Sequence, residues 1–468
     1  MMDRLSGGDS VNFALEAIQD SKLLGQVFLL PTGSAARIDF DAFQATIAER
    51  ARMVPRMRRR VQMVPLGIDN PILVDDPRFD PREHIMRTTV PPPGGPRDIA
   101  HTVAQLKASP LRRDRPLWQM WLLEGIADER LAIFLKSHHA LWDGVTLENV
   151  FAILFDRLPA TQHLADPHLT DNALELPRSS LALFITGLGN LVRRGPSIAR
   201  LPAARKRRNT QVAQLRSRRH LQVAPPPSSV LNARVPPVLV WAYGAMPLDD
   251  LHRVRRQLGA THNELMLSII ASAVRRILAD RGTLPAFPLV AMVPFSTHNE
   301  ASRVRYSGSV KTMRMSLATD LADPMERLHA IQASSEATKA HFHALRAMHV
   351  SSAEALPPVF WSLLFKTMRT LRVAERRPPG SVGVSNIGTR QPLWCRGVPI
   401  DGIFSIPPLP WNSGLAIALL SYRDHTNYGI SCHPALIGDP WVIEDAMKDA
   451  FREYAALAVK PPLAASDR

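Results

Sequence analysis

The chain has 468 residues, 46% of them hydrophobic and 21% charged, with 40 Pro, 24 Gly and 2 Cys. That length accommodates roughly two to four domains of ~100–200 residues. The apolar fraction excludes a disordered chain, and no apolar stretch approaches the ~18 residues of a membrane-spanning helix. Lys and Arg exceed Asp and Glu by 57 to 42, a net charge of +15.

In chain order, the opening residues carry Asp3 and Asp9 and lead into no apolar segment, so no secretory signal is expected. Patterning predicts a helix over 11–20 headed by Asp9, a strand at 26–31 and a helix at 40–52. A Pro-punctuated extended region runs through 93, followed by a helix at 96–108 and strands at 118–125 and 131–137. In the second half strands are predicted at 238–246, 288–294, 383–387, 415–421 and 426–432. Helices are predicted at 248–258, 263–279, 323–343, 359–373 and 440–458. Both halves mix the two element types, which predicts an α/β fold of two sandwich domains, 1–176 and 237–468.

Between them, residues 177–236 read as a basic, Pro-rich linker. From Glu175 to Asp249 there is no acidic residue, yet twelve Arg and Lys fall there, densest at Arg205-Lys206-Arg207-Arg208. Nucleic acid, an anionic membrane surface or a phosphorylated ligand each suits such charge. Nucleic-acid binding wants interleaved aromatics, and 185–239 has none. The apolar segment 181–192 just upstream, too short to span, makes the pair read as a membrane-surface anchor; a solvated linker behind a core helix is the structural alternative. Cys395 and Cys432 form no disulfide framework and no zinc set, which fits a cytoplasmic protein.

Ser137-His138-His139-Ala140-Leu141-Trp142-Asp143-Gly144 stands at the end of an apolar strand, before a predicted helix. Random placement in a chain of this composition gives far fewer than one match to its His, His, Asp and Gly. Adjacent residues at a strand end point to opposite sides, so only one of the two histidines faces a given cavity. Asp143 lies one helical turn beyond His139, and Gly144 permits a tight backbone turn. A neutral imidazole beside a bound hydroxyl takes its proton as the oxygen attacks a carbonyl. Against this stand a merely structural histidine and a metal site, for which His139 and Asp143 are too few ligands. A serine hydrolase would need a G-x-S-x-G elbow, which the chain lacks.

The motif, HHxxxDG, resembles the active-site signature of the CoA-dependent acyltransferase superfamily, and its surroundings resemble bacterial wax ester synthase/diacylglycerol acyltransferases. Leu5-Ser6 with Asp9, Phe13 and Glu16, the 74–84 block and Ser109-Pro110-Leu111 with Asp114 to Trp118 carry the likeness in the first half. Thr261, Asn263, Leu317 to Asp320, Asp323 to Leu328, Ser385-Asn386 and residues 412–422 carry it in the second. The resemblance implies two chloramphenicol acetyltransferase-like domains forming a pseudo-dimer with a tunnel at their interface. It implies acyl transfer from acyl-CoA, as co-substrate, to diacylglycerol or a long-chain alcohol, with no cofactor, no metal and no acyl-enzyme. On this chain it makes His139 the general base, Asp143 an orienting or structural residue and Gly144 the turn, and leaves His138 without an assigned role. The partners expected are acyl-CoA, a lipid alcohol and an anionic membrane or lipid-droplet surface, with no nucleic acid. The same fold acting on an amine or carrier-bound acceptor, or a degenerate lipid-surface scaffold, are the alternatives.

The chain departs from the family pattern at Glu264, where Asp is usual, at 387–390, which lacks a Pro-Gly turn, and at Ser307-Gly308-Ser309. Pro116, Leu117, Trp118, Asn263, Asn386 and Asn412 are candidate tunnel residues, with core packing for Trp118 and turn roles for the asparagines as the structural alternatives. Thr261 reads as a helix N-cap. His341 and His343, two apart on a predicted helix, face different ways and make no metal site. The aromatic-rich helix 359–373 either packs in the core or touches lipid.

Overall fold

A computed structural model of the chain describes residues 3–16, 23–142, 144–158, 175–219, 229–233, 238–296, 310–345, 352–376, 378–388 and 391–459. The first half runs α1 (Gly7–Glu16), β1 (Leu23–Leu29), α2 (Phe40–Met53), α3 (Pro55–Arg58), β2 (Arg59–Gln62), β3 (Ile72–Asp75) and β4 (Ile85–Thr89). It continues with α4 (Pro96–Ala108), β5 (Trp118–Ile126), β6 (Arg130–His138) and α5 (Gly144–Leu154). Helix α1 starts at Gly7, earlier than the predicted 11, because Ser6 is its cap. The Asp9 N–H donates to Ser6 Oγ (3.1 Å) and the Ser6 N–H to Asp9 Oδ2 (3.3 Å), a reciprocal capping box. Asp9 is therefore the third helical residue and not the cap.

The second half holds α6 (Ser180–Arg219), β7 (Val240–Pro247), α7 (Leu248–Gln257), α8 (His262–Asp280), β8 (Val290–Ser296) and β9 (Val310–Ser316). Then come α9 (Pro324–Leu345), α10 (Ser352–Ala355), α11 (Pro358–Thr370), β10 (Val382–Gly388), β11 (Trp394–Cys395) and β12 (Val398–Pro399). The chain closes with β13 (Gly402–Ile406), β14 (Leu415–Tyr422), β15 (His425–Cys432) and α12 (Trp441–Val459). Thr261 caps α8 as predicted: its hydroxyl accepts from the Glu264 N–H (3.3 Å) while Glu264 Oε2 accepts from the Thr261 N–H (3.0 Å). The departure at Glu264 thus completes a capping box, a job its longer side chain performs well.

Two mixed sheets organise the fold. The first has the order β13-β1-β6-β5-β4, the second β7-β15-β14-β10-β8-β9. Each packs helices on its own core, and a third apolar cluster joins the halves, with Phe134 and Trp121 of the first sheet meeting Trp241 and Tyr243 of β7. Strand β6 is buried on both faces because it lies between these layers, which explains its near-continuous apolar run.

The halves also exchange chain. Residues Leu393, Cys395, Val398, Ile400 and Ile403 sit in the core of the first half, and β13 adds to the edge of β1 with Ile406 opposite Gly25. A Cβ at Gly429 of β15 would stand 1.8 Å from Ser405 O, so only glycine lets β15 cross β13 this closely.

The segment expected as a linker is largely one helix. The apolar 181–192 and the basic residues after it are both parts of α6, with Pro196 and Pro202 inside it. Its first half is docked on the first domain: Leu183 packs on Ile72 and Val74. The fully buried Asp69 accepts from Asn190 Nδ2 (2.7 Å) and Arg194 Nη2 (2.8 Å) and also meets Arg4. The prolines at 225–227 and 236–237 lie outside the described residues.

Candidate active site

His138 is the last residue of β6 and is fixed there by backbone bonds: its N–H donates to Leu117 O and its carbonyl accepts from the Leu141 N–H, both 3.0 Å. Its ring is buried and stacked on Phe13 at 4.3 Å. The Ala140 N–H donates to its Nδ1 (2.9 Å), so that nitrogen carries a lone pair and the ring proton sits on Nε2. Nε2 lies 2.9 Å from Glu16 Oε1. Both nitrogens are thus engaged, which fixes the orientation of the ring.

Glu16 links this histidine to Arg113, which pairs with its other oxygen and lies 4.9 Å over the Phe13 ring. Burial alone would raise the Glu16 carboxyl; the His138 imidazole and the Arg113 guanidinium outweigh it and bring the value from 4.5 down to about 2. A depressed carboxylate contributes stability that is complete above about 4.5 and lost as pH falls toward about 2. Glu16→Gln keeps an acceptor for His138 but removes the charge facing Arg113. It is expected to cost about 1–3 kcal/mol at pH 7, with the penalty shrinking as the pH is lowered. Urea unfolding of both proteins across that range checks this; a penalty independent of pH counts against the ionised pair.

His139 follows in the turn and is half-buried. The Asn12 amide of α1 lies 3.4 Å from its Nδ1. So α1 meets both histidines, with Phe13 and Glu16 on His138 and Asn12 on His139. Ala140, Leu141 and Trp142 are buried, and the Trp142 indole donates to Ser137 Oγ (2.9 Å). Beneath them the buried Arg56 of α3 donates to Leu141 O (2.6 Å). Lys136, buried two residues before His138, donates to Leu106 O (2.8 Å) and Ser109 O (2.7 Å), tying the end of α4 to β6. Burial pushes its ammonium down to about 8. Gly144 opens α5, and Asp143 lies outside the described residues.

The candidate tunnel residues are spread over both halves. Pro116, Leu117 and Trp118 are buried in the first core, where the Trp118 indole donates to Met57 O (2.7 Å) and stacks on His84. Strand β5 begins there, and its inward face fills the domain. Asn263 is half-buried in the first turn of α8, and Asn386 is exposed on β10. Asn412 has φ 52° and its carbonyl accepts from Asn232 Nδ2 (3.0 Å), a left-handed turn position that asparagine tolerates. Residues 307–309 and 389–390 lie outside the described residues. Cys395 and Cys432 are buried thiols pushed up to about 12 by burial. His341 and His343 both lie on α9, and no three His, Cys, Asp or Glu cluster as a metal set among the described residues.

Sequence patterning did not single out Asn12, Arg56, Arg113 or Lys136. Only Lys136 carried a signal, as a charge inside an apolar strand.

The family model described as the wax ester synthase/diacylglycerol acyltransferase catalytic domain matches residues 5–266, and the model for the WS/DGAT C-terminal domain matches 308–455. A putative diacylglycerol O-acyltransferase of Mycobacterium tuberculosis is 29% identical over 471 residues, covering 97% of this chain and 90% of the relative. Among solved structures, the wax ester synthase/diacylglycerol acyltransferase of Marinobacter aquaeolei has a TM-score of 0.67 at 21% identity, covering 98% of this chain and 100% of that one. A starter condensation domain of rhizomide synthetase, solved with C8-CoA, has a TM-score of 0.59 at 13% identity, covering 98% and 95%. The two-sheet arrangement is shared with both. The chain belongs to the wax ester synthase/diacylglycerol acyltransferase family and is an acyltransferase of that type.

Proposed function

We propose that the protein moves a long-chain acyl group from acyl-CoA to the hydroxyl of diacylglycerol or a long-chain alcohol, with His139 as the general base. The reaction is placed at the cytoplasmic surface of an anionic membrane or lipid droplet. The observation that carries the assignment is the division between the two histidines. His138 has both nitrogens occupied and its ring sealed against Phe13, whereas His139 is half-buried beside a reversible amide. A neutral imidazole at this position carries the lone pair a base needs.

Acyl-CoA and acceptor meet in a passage between the two halves. The hydroxyl oxygen attacks the thioester carbonyl as His139 takes its proton; the carbon–sulfur bond breaks, and the imidazolium returns the proton to the departing CoA thiolate. The base contributes a factor of ~10²–10⁴, and holding both substrates together supplies much of the rest. No cofactor enters these steps.

Incubating the purified protein with labelled palmitoyl-CoA and a panel of diacylglycerol, hexadecanol and a long-chain amine tests the reading. Labelled triacylglycerol or wax ester is expected, with matching release of CoA. A labelled amide as the main product would move the acceptor to the amine class, and CoA retained with every acceptor would leave only a scaffold.

A further inference from the structure

We infer that the protein docks on anionic phospholipid through one face built by α6, the 63–67 loop and α11. This rests on the lipid-surface reading above and names the residues that would perform it. Helix α6 turns one side to the protein: Leu183 packs on Ile72 and Val74, a Cβ at Gly187 would meet Ile68 and Val64 at 3.1–3.2 Å, and Asn190 and Arg194 bind Asp69. At 3.6 residues per turn, Leu181, Ile185, Leu188 and Val192 fall on the opposite side. They are 43–77% exposed. Four large apolar residues in helical register are thus turned away from the core, an exposed apolar stripe of the kind that marks an interaction surface. The helix is not long and apolar enough to cross a membrane.

The neighbouring elements continue the surface. Leu66 is 75% exposed and held at φ 56°, a conformation costly for a leucine, and Met63 beside it is also exposed. Gly67 lies against Val359, so this loop abuts α11, where Leu363 and Phe360 are exposed.

Charge selects the occupant. Beyond the apolar stripe α6 exposes Arg193, Arg200, Arg205, Lys206 and Arg207, and α11 adds Lys366. No acidic residue lies between Glu175 and Asp249 to offset them. An apolar centre with basic flanks matches the acyl boundary and headgroups of an anionic leaflet, whereas a second copy of the same face would set its cations against these. The face is also close to the chemistry. Helix α11 and the turn α10 pack on α1, whose Gly7 N–H donates to Glu354 Oε1 (2.8 Å). Docking therefore places the leaflet one helix layer from the helix that touches both histidines, on the side from which a lipid acceptor would come.

Flotation of the full chain with vesicles of phosphatidylcholine and phosphatidylglycerol in equal parts tests this. Ile185→Ser with Val192→Ser, and separately Leu66→Ser with Leu363→Ser, are each expected to weaken binding roughly tenfold or more. Arg205→Glu with Lys206→Glu is expected to weaken binding to these vesicles and not to pure phosphatidylcholine. Melting by circular dichroism and acyl transfer to a soluble short-chain alcohol should stay at the parent level, so that loss of binding is not loss of fold. Parent-level flotation of both serine pairs overturns the inference. So does a parent dimer that the serine pairs dissociate without change in flotation. Should the parent fail to acylate any alcohol, the catalytic reading falls while flotation still decides the docking.

Discussion

Replacing His139 by alanine is expected to lower acyl transfer by roughly 10²–10⁴-fold and to leave melting and vesicle binding at the parent level. The half-buried ring lies in a turn, so its removal leaves no sealed cavity. His138→Ala is the informative contrast. It empties a buried, stacked site and deprives both the Ala140 N–H and Glu16 of a partner, so it should lose about 2–4 kcal/mol of stability together with activity. Single-turnover release of CoA, measured beside urea unfolding for each variant, separates the two. A His139 variant that transfers at the parent rate, or one that loses stability as His138→Ala does, rejects the division of labour.

Most of the architecture is legible in the chain because its elements carry local signals. The helices at Phe40–Met53, Pro96–Ala108 and His262–Asp280 have caps or a proline at the first turn and a regular apolar face, and they stand where the pattern predicts. What escapes is set by distant partners. Strand β13, only Gly402–Ile406, is a strand because β1 lies beside it, and Ile406 pairs with Gly25 across nearly the whole chain. No local window holds that information. The site divides in the same way. The His-His-Asp-Gly spacing marks where chemistry belongs, but the groups holding His138 come from α1 and from Arg113, brought together only by folding. Arg56 stands in an arginine-rich stretch with Arg52, Arg58, Arg59 and Arg60, where nothing distinguishes the one that turns inward beneath the motif. Around α6, a change of composition from apolar to basic reads as a boundary, although the backbone continues through it as one helix.

Removing the carboxylate of Asp156 is expected to destabilise the protein by about 3–5 kcal/mol, the largest stability effect predicted here. Asp156 Oδ1 lies 2.5 Å from Arg50 Nη2, with both side chains at most 2% exposed. Arg50 also donates to Leu154 O (2.9 Å), so α2 is tied to the end of α5. Asp156→Ala would strand a guanidinium that cannot deprotonate within the first core. Asp156→Asn should cost less, because an amide oxygen still accepts. Arg50→Met with Asp156→Leu should recover much of the loss, since an apolar pair carries no desolvation cost. The effect should also reach beyond one half. The Asp156 backbone exchanges two 2.8 Å hydrogen bonds with Trp394, where the second half begins its excursion through the core of the first toward β13. Loosening that junction weakens the strand exchange that joins the sheets, so unfolding followed by tryptophan fluorescence and by far-ultraviolet circular dichroism should shift together. A shift confined to one of two separable transitions would mean that the exchanged segment does not couple the halves, and equal stability of Asp156→Ala and the parent would reject the pair as a core determinant.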